Sequence, residues 1–365
     1  MKRIAIIVGT RPNFIKVTQF SRVLKPYAHK FAFKIIHTGQ HFDEKMSDVF
    51  FKQFGMEPDI FLNIEADSPN IQMAKMMIGL EQSFKEYRPD LVLVVGDVNS
   101  TAAAALTANK MNIKVAHVES GLRSFDRSMP EELNRIITDC IADYFFVTEQ
   151  SGMDNLIKEG KNPEQLFFVG NTMIDTMVAF RTQIDSSDIM QKLKIGRKSF
   201  VLMTMHRPGT VDTPTGLDQL MGLINEVSKR YKIVFPIHPR TLKKMHDFNL
   251  KKKLDENANL ITTEPLDYFS FQKLVKECKF VITDSGGIQE ESTFLMVPCL
   301  TLRSNTERPS TVLIGTNELV PFSLTEIKNK IQEIEHGNFK KGNIPPLWDG
   351  NATQRIAEVL LKILN

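Results

Sequence analysis

The sequence contains few cysteines, little net charge and no long apolar runs. Cys140, Cys278 and Cys299 show no CxxC or other metal-ligand spacing, which predicts buried thiols in a reducing compartment. A net charge of +3 with scattered Lys and Arg gives no basic surface for a nucleic-acid partner. No apolar run approaches the roughly 20 residues that cross a bilayer, and the start MKRIAIIVGTRP is too short an apolar run for a signal peptide. We therefore predict a cytoplasmic protein with neither a membrane nor a nucleic acid as partner.

Two common nucleotide-binding signatures are also missing. The chain has no G-x-G-x-x-G and no G-x-x-x-x-G-K-[ST]. The motifs that usually indicate a dinucleotide cofactor or Walker-type nucleotide hydrolysis are therefore absent. We expect no cofactor and no metal.

What the chain does have is repeated strand–helix alternation. Short β-branched runs separated by helical periods occur at residues 4–8, 33–38, 91–95, 113–118 and 144–147. The run LVLVV at 91–95 is apolar throughout, as a parallel strand buried on both faces requires. A second series has strands predicted at 200–204, 233–236, 260–262, 280–283 and 298–302. This pattern predicts an α/β protein with two doubly wound Rossmann-like domains.

The polar stretch 183–198 separates the two series and is the predicted linker. It leaves an N-terminal domain at 1–182 and a C-terminal domain at 199–348. A last helix within 349–365 can pack back on the first domain. We expect the two domains to face each other across a cleft.

The densest group of charges follows the predicted strand 113–118. Directly after it, seven charged side chains fall within seventeen positions, namely Glu119, Arg123, Asp126, Arg127, Glu131, Glu132 and Arg135. Open α/β sheets bind ligands at the carboxyl ends of their strands, so Glu119, Glu131 and Asp97 of the neighbouring strand are candidate catalytic carboxylates. Like charges held close raise at least one pKa, which provides an acid and a base from one residue type.

Less specific interpretations of these residues stay open. Asp97 could cap the following helix through Asn99 or Ser100. The charges of Asp126, Arg127 and Glu132 could simply face water or stabilise a helix start.

Cationic turns follow the first strand of each series. GTRP (9–12) sets Arg11 at a strand-to-helix turn with Lys16 one turn later, and MHRPG (205–209) mirrors it with His206. Such a helix start can hold an anion, although an isolated turn with an incidental Arg is common.

A glycine-rich turn follows a later strand of the second series. In DSGG (284–287), Ser285, Gly286 and Gly287 can bring backbone N–H groups to phosphate oxygens at the positive end of a helix. Glu291 follows one turn later, where a carboxylate can bind ribose hydroxyls, and Arg303 and Arg308 are further candidate phosphate partners. These turns together predict a diphosphate ligand.

These motifs resemble those of the non-hydrolysing UDP-N-acetylglucosamine 2-epimerases, bacterial and archaeal enzymes with the two-domain GT-B fold. They run in the family's order through nearly the whole chain: GTRP with Lys16, HTGQH (37–41), GD-x-x-ST (96–101), HVE-x-GLR (117–123), PEE-x-NR (130–135), GNT-x-ID (170–175), HR (206–207), DSGG-x-QEE (284–291) and LR-x-x-TERP (302–309). The resemblance implies interconversion of UDP-GlcNAc and UDP-ManNAc for cell-surface polysaccharide precursors, without NAD or metal, in a homodimer.

The family mechanism implies roles for individual residues. It is an anti elimination of UDP across C1 and C2, giving 2-acetamidoglucal, followed by re-addition with C2 inverted. By resemblance, the acid–base carboxylates are Asp97, Glu119 and Glu131. His206 is the diphosphate-side histidine, and Lys16 supports the active site. The implied UDP-binding residues are Arg11, Arg135, Ser285, Gly286, Gly287, Glu291 and Arg308.

The sequence departs from the family in places that bear on the site. The common GTRPE is GTRPN here, and the usual HRREN is HRPGT, which changes the setting of Arg11 and His206. Many bacterial members bind a second UDP-GlcNAc as an activator, through a Gln shortly after the QH motif and an Arg in the next helix. The corresponding QHFDEKM and IQMAKMM lack both, although Arg207 and His238 could remain from that site. We expect no activator requirement, and a back-reaction of UDP-ManNAc that starts only with added UDP-GlcNAc would contradict this.

Three other activities stay open. The enzyme could act at C2 of another UDP-2-acetamido sugar, such as a uronate or 6-deoxy form, because selection at C4 and C6 depends on loop shape. A hydrolysing relative would release UDP and free ManNAc, but the GTRP start favours the non-hydrolysing branch. A GT-B glycosyltransferase would share the fold and the UDP site without needing three carboxylates.

Overall fold

The computed structural model describes residues 1–40, 51, 53–64 and 67–364. The chain forms two compact units: Met1–Ala179 with Pro346–Asn365, and Phe180–Pro345. The helix predicted at 46–54 lies largely outside the described residues.

The first unit is built on a parallel sheet, seven-stranded in the described part of the chain. Its strands are β1 (Lys2–Val8), β2 (Phe31–His37), β3 (Ile60–Phe61), β4 (Leu91–Val95), β5 (Lys114–Ser120), β6 (Tyr144–Val147) and β7 (Leu166–Phe168). Their order across the sheet is β3-β2-β1-β4-β5-β6-β7. The helices up to residue 179 are α1 (Arg11–Val17), α2 (Phe20–Leu24), α3 (Pro69–Tyr87), α4 (Asn99–Lys110), α5 (Pro130–Ile141), α6 (Gln150–Lys158) and α7 (Thr172–Ala179).

The centre of this sheet is buried because helices cover both of its faces. All five residues of β4 are fully buried, as expected for a strand between two layers of helices. The alanines at 102–105 and 108 of α4 are also fully buried, and their small side chains let this helix pack closely against the sheet.

The second unit repeats the architecture with a parallel sheet that is six-stranded among the described residues. Its strands are β8 (Phe200–Thr204), β9 (Lys232–Pro236), β10 (Leu260–Thr263), β11 (Phe280–Thr283), β12 (Cys299–Thr301) and β13 (Asn317–Leu319). The order is β10-β9-β8-β11-β12-β13. The helices are α8 (Arg181–Ser186), α9 (Ile189–Lys192), α10 (Pro208–Val211), α11 (Pro214–Ser228), α12 (Pro239–Asp247), α13 (Lys251–Asp255), α14 (Tyr268–Glu277), α15 (Gly286–Phe294), α16 (Pro309–Leu313) and α17 (Leu324–Glu335).

The α/β class with two parallel sheets is confirmed, and some details differ from the sequence prediction. The strands β3, β7 and β13 were not predicted, and neither were the helices α6, α9, α10, α12, α13, α14 and α16. The stretch 183–198, interpreted as a linker, contains most of α8 and all of α9, and both helices belong to the second unit. Cys140 is exposed rather than buried, whereas Cys278 and Cys299 are buried. Among the described helices, none combines the length and apolar character that crossing a membrane needs.

The chain ends with α18 (Ala352–Ile363), which belongs to the first unit. The buried carboxylate of Asp175 accepts hydrogen bonds from the backbone N–H groups of Ala352 at 3.0 Å and Thr353 at 2.6 Å. Just before this helix, the indole of Trp348 donates to the carbonyl of Thr148 at 3.1 Å. Asp175 therefore satisfies the free N–H groups at the start of the last helix.

We expect Asp175→Ala to lower the free energy of unfolding by about 2 kcal/mol, because two helix N–H groups lose a charged acceptor. The matched control is Asp349→Ala, which removes a side chain that is 45% exposed and pairs with Arg355. That control should change stability by less than about 1 kcal/mol. Urea unfolding measures both, and equal losses would contradict the assigned role of Asp175.

Candidate functional site

Each sheet has a switch point, where neighbouring strands continue toward opposite edges. In the first unit it lies between β1 and β4, and in the second between β8 and β11. Ligands of open α/β sheets bind outside the carboxyl ends of strands at such points. The GTRP turn follows β1 and Asp97 follows β4, while His206 follows β8 and the DSGG turn follows β11. The predicted site residues thus lie where the topology favours a ligand.

At the first switch point four charged side chains form one cluster, which we call the carboxylate cluster: Lys16, Asp97, Glu119 and Arg135. The Lys16 ammonium contacts the Glu119 carboxylate, and an Arg135 guanidinium nitrogen contacts Asp97. The same Arg135 nitrogen lies 3.3 Å from Glu119 Oε1. Glu119 is thus held between two buried cations.

Glu119 occupies a strained position in its strand. The register between β5 and β6 shifts between Val118 and Ser120, so Glu119 is the extra residue of a β-bulge. Its φ is 70°, in the left-handed region that side chains other than glycine rarely adopt. Bulges re-aim side chains next to active sites, and such strain persists only where the surroundings hold it in place.

The backbone before Asp97 is shaped by a glycine. Gly96 has φ 68°, and a Cβ there would lie 3.3 Å from Asn13 Nδ2 and 3.4 Å from Lys16 Nζ. Asn13 donates from Nδ2 to the carbonyl of Val95 at 3.0 Å and accepts from Thr10 Oγ1 at 3.0 Å. These two bonds tie the GTRP turn to the end of β4. Arg11 is itself the first residue of α1.

Asp97 does not cap the following helix, so that interpretation is wrong. The residue before α4 is Val98, and its side chain makes no cap hydrogen bond. The Asp97 carboxylate turns instead to Arg135. Asn134 donates to the Asp97 carbonyl and to Asn99 Oδ1, both at 3.0 Å, so α5 holds this loop from the other side.

The other carboxylates of the 117–135 stretch separate into different roles. Glu131 is exposed in the first turn of α5, four residues before Arg135, so it is not part of the carboxylate cluster. Glu132 is buried, and accepts hydrogen bonds from Ser124 N at 2.7 Å and Phe125 N at 3.0 Å. The solvated interpretation of Glu132 is therefore wrong, because its carboxylate satisfies loop N–H groups. Arg127 is exposed as expected.

At the second switch point a buried aspartate orients His206. Asp284 Oδ1 lies 2.9 Å from His206 Nδ1, and Asp284 Oδ2 accepts from His206 N at 2.9 Å and Arg207 N at 2.8 Å. Burial raises the pKa of Asp284, but hydrogen bonding and charge from His206 lower it further, so the net pKa is below its ordinary value. The side chain of His206 is 38% exposed. The sequence reasoning missed Asp284, although it opens the DSGG motif.

Two arginine side chains lie beside the start of α15. Gly286 is its first residue, and a Cβ there would lie 3.0 Å from Arg308 Nη1 and 3.9 Å from Arg303 Nη1. Two guanidinium groups thus lie beside a helix N-terminus, which favours an anion. Ser285 and Gly287 flank Gly286 at this start.

Buried glutamates hold these arginines in place. Glu307 Oε2 lies 3.2 Å from Arg303 Nη1 and 3.3 Å from Arg308 Nη1, while Arg308 Nε lies 2.7 Å from Glu290 Oε2. Burial raises the pKa of Glu307, but the two arginines outweigh it and lower that pKa to about 2. Glu291 is buried in the second turn of the same helix.

The HTGQH motif lies at the end of β2. His37 Nδ1 accepts a hydrogen bond from Gly39 N at 3.0 Å, so this nitrogen carries no proton. Gln40 Oε1 accepts from Ser100 N at 2.9 Å and Ser100 Oγ at 2.7 Å, which ties the motif to the start of α4. His41 and the rest of QHFDEKM, on which the activator prediction depends, lie outside the described residues.

Burial lowers the pKa of His37 to about 4, which predicts a pH-dependent stability. Between pH 6.5 and 4 the unfolded chain binds a proton that the folded protein does not, so stability falls as the pH drops through this window, by up to about 3 kcal/mol. His37→Asn keeps an acceptor for Gly39 but cannot titrate, so this part of the pH dependence should disappear. Urea unfolding at pH 7 and pH 4 measures it, with exposed His29→Asn as control. An unchanged pH dependence in His37→Asn would contradict the assignment.

Within the ranges that the structure describes, no three His, Cys, Asp or Glu side chains are grouped as they would be around a metal ion. The sites at the two switch points consist instead of ion pairs and helix starts.

Two parallel α/β units, each with its charged residues at a switch point, define the class of two-unit Rossmann-like proteins with the GT-B type of fold. Within it, the chain belongs to the UDP-N-acetylglucosamine 2-epimerase family, whose family model matches residues 26–361. The resemblance inferred from the motifs is confirmed at this level.

Individual relatives match over nearly the full length. The chain is 39% identical over 366 residues to the UDP-N-acetylglucosamine 2-epimerase of Methanococcus maripaludis, covering 99% of this chain and 98% of that protein. The crystal structure of Methanocaldococcus jannaschii UDP-GlcNAc 2-epimerase in complex with UDP-GlcNAc and UDP has a TM-score of 0.90 at 38% identity, covering 99% of each chain. The UDP-2,3-diacetamido-2,3-dideoxy-D-glucuronate 2-epimerase of Pseudomonas aeruginosa is 35% identical over 368 residues, covering 99% of this chain and 100% of that protein.

Proposed function

We propose that this enzyme interconverts UDP-GlcNAc and UDP-ManNAc by eliminating UDP to 2-acetamidoglucal and adding it back with C2 inverted. The observation that carries the proposal is the carboxylate cluster, in which Glu119 sits on a strained bulge between Lys16 and Arg135 beside Asp97. Family membership and the relatives with bound UDP-GlcNAc or UDP support the substrate class.

The chemistry requires a particular order of events. No carbonyl acidifies the C2 proton, so the bond between C1 and the diphosphate oxygen breaks ahead of proton loss and leaves positive charge on the ring. Negative side chains preorganised in a water-poor site stabilise that charge. A carboxylate then takes the C2 proton to form the glucal. In the return step, UDP re-adds to C1 and a proton reaches C2 from the opposite face.

Inversion needs an acid–base group on each face of C2, so one carboxylate alone is not enough. Asp97 and Glu119 both contact Arg135. A change in the charge of one carboxylate therefore alters the electrostatic environment of the other. Exposed Glu131 is the third acid–base group in this proposal, reaching the sugar from the first turn of α5.

The second unit supplies the groups for the leaving UDP. His206, oriented through Nδ1 by Asp284, presents Nε2 to the diphosphate, where a proton donor offsets the charge that develops as the C1–O bond breaks. The start of α15 at Ser285, Gly286 and Gly287, with Arg308 beside it, binds phosphate oxygens. Glu291 accepts from the ribose hydroxyls, and Arg11 completes the UDP contacts.

The proposal is tested by incubating the enzyme with UDP-GlcNAc and separating the products. We expect a mixture of UDP-GlcNAc and UDP-ManNAc with no free sugar. Free ManNAc with UDP would indicate a hydrolysing enzyme instead. Transfer of sugar that requires an acceptor would indicate a glycosyltransferase.

A second candidate is C2 epimerisation of a UDP-2-acetamido uronate, which the Pseudomonas aeruginosa relative at 35% identity favours. The two substrates differ at C3 and C6, away from the carboxylates that act on C2. Comparison of kcat/KM for UDP-GlcNAc and for the UDP-2,3-diacetamido uronate decides between them, and a higher value for the uronate would reassign the substrate.

The oligomeric state and the cellular location belong to the same proposal. We propose a cytoplasmic homodimer that works without a cofactor on precursors of cell-surface polysaccharides. Light scattering after size-exclusion chromatography measures the mass, and a single 41.6 kDa species at assay concentration would contradict the dimer.

A further inference from the structure

A second charged network lies buried behind the carboxylate cluster, and the proposed mechanism gives it no role. His117, Asp139 and Arg123 are its members, and all three are buried. Asp139 Oδ1 lies 2.7 Å from His117 Nδ1, and Asp139 Oδ2 lies 2.7 Å from Arg123 Nη1. Arg123 also pairs with Glu159, whose Oε2 lies 2.7 Å from its Nη2.

Both ring nitrogens of His117 face oxygen atoms. Its Nε2 lies 2.8 Å from the carbonyl oxygen of Gly96, which can only accept, so Nε2 donates this hydrogen bond. Its Nδ1 faces Asp139, whose pKa burial raises but His117 and Arg123 lower below the ordinary value.

This network holds the two backbone segments that carry the carboxylates. The Gly96 carbonyl is bonded to the His117 ring, and the Gly96 N–H donates to the Val118 carbonyl at 2.9 Å. Gly96 is therefore fixed to β5 on both sides, immediately before Asp97. At the other end, Asp139 Oδ2 accepts from Gly121 N at 3.1 Å, two residues after the strained Glu119.

We propose that His117 is a positioning residue for the epimerisation, whose Nε2–H bond to the Gly96 carbonyl fixes the turn that presents Asp97 beside Glu119. This inference rests on the proposed function. The His117 ring is bonded to the Gly96 carbonyl and to Asp139, so it acts on Asp97 through the backbone. A small displacement of an acid–base group lowers the rate of the chemical step far more than it lowers binding.

Two substitutions at His117 separate positioning from general stability. His117→Gln can keep an N–H near the position of Nε2, and with it the bond to Gly96. His117→Asn keeps a donor near the position of Nδ1, facing Asp139, and loses the bond to Gly96. We expect kcat to fall about tenfold to a hundredfold in His117→Asn with KM unchanged, and no more than about threefold in His117→Gln. His29→Asn, at an exposed histidine of the same unit, is the matched control and should have wild-type kcat.

A third variant tests the role of His117 if His117→Asn does not fold. In Asp139→Asn, the amide can donate to a neutral His117 Nδ1 while Nε2–H still donates to Gly96. We expect lower thermal stability but a kcat within about threefold of wild type. Equal kcat losses in His117→Gln and His117→Asn, or a large loss in folded Asp139→Asn, would overturn the positioning role. If the wild-type enzyme itself does not epimerise UDP-GlcNAc, the proposed function fails instead, which distinguishes the two failures.

Discussion

Replacing Glu119 with glutamine is expected to lower kcat for C2 epimerisation about a thousandfold, while the affinity for UDP stays unchanged. The amide keeps the size of the side chain but cannot exchange a proton with C2 or offset the positive charge on the ring. Since Lys16 and Arg135 both neighbour this carboxylate, the variant also loses an anion between two buried cations. The stability of this variant should fall, so its turnover is measured well below its melting temperature. Turnover of UDP-GlcNAc and calorimetric binding of UDP are the two measurements.

The control for this result is Glu81→Gln, the same substitution at an exposed glutamate of α3 that pairs with Lys85. It should leave kcat at the wild-type value. The same assay of Asp97→Asn and Glu131→Gln shows whether these two carboxylates also act as acid–base groups. Retention of more than about a third of wild-type kcat in folded Glu119→Gln would remove this residue from the mechanism.

Asp284→Asn is expected to lower kcat about a hundredfold, because the His206 ring loses the carboxylate that orients it. The amide oxygen of the substituted side chain can still accept from the backbone N–H groups of His206 and Arg207, so the turn should remain in place. UDP affinity should fall less than kcat, since the interaction strengthens as the diphosphate departs.

Asp255→Asn in the same unit, on the exposed pair with Lys251, is the control for Asp284→Asn. His206→Asn should reduce kcat about as much as Asp284→Asn, and the double variant should reduce it little further, because the two residues act as one unit. Additive losses in the double variant would show that Asp284 does not act through His206.

The strands and the main site positions could be predicted because their signals are local. The run LVLVV predicts β4 with the observed bounds, and Asp97 follows it at the strand's carboxyl end. Glu119 is noticeable for the same reason, as a charge directly after a core strand. The apolar run of a strand and the position of a charge directly after it depend only on neighbouring residues, so both can be recognised in a single sequence.

The supporting contacts could not be predicted because they join residues far apart in the chain. His117 and Asp139 are 22 positions apart, and His206 and Asp284 are 78 apart. Nothing local distinguishes Glu132, which is buried against the 124–125 loop, from Glu131, which is exposed one position earlier. The bulge at Glu119 depends on the register with β6, which is set by packing of the whole sheet.

Incubation of the wild-type enzyme with UDP-GlcNAc in deuterium oxide, followed by proton NMR at C2 of both UDP-sugars, is the most direct test of the proposed elimination and re-addition. Elimination and re-addition through acid–base carboxylates predict deuterium at C2 in UDP-ManNAc and, as the reaction reverses, in the recovered UDP-GlcNAc. UDP-ManNAc formed with its C2 proton retained would contradict the mechanism, and no exchange with no new UDP-sugar would contradict the function itself.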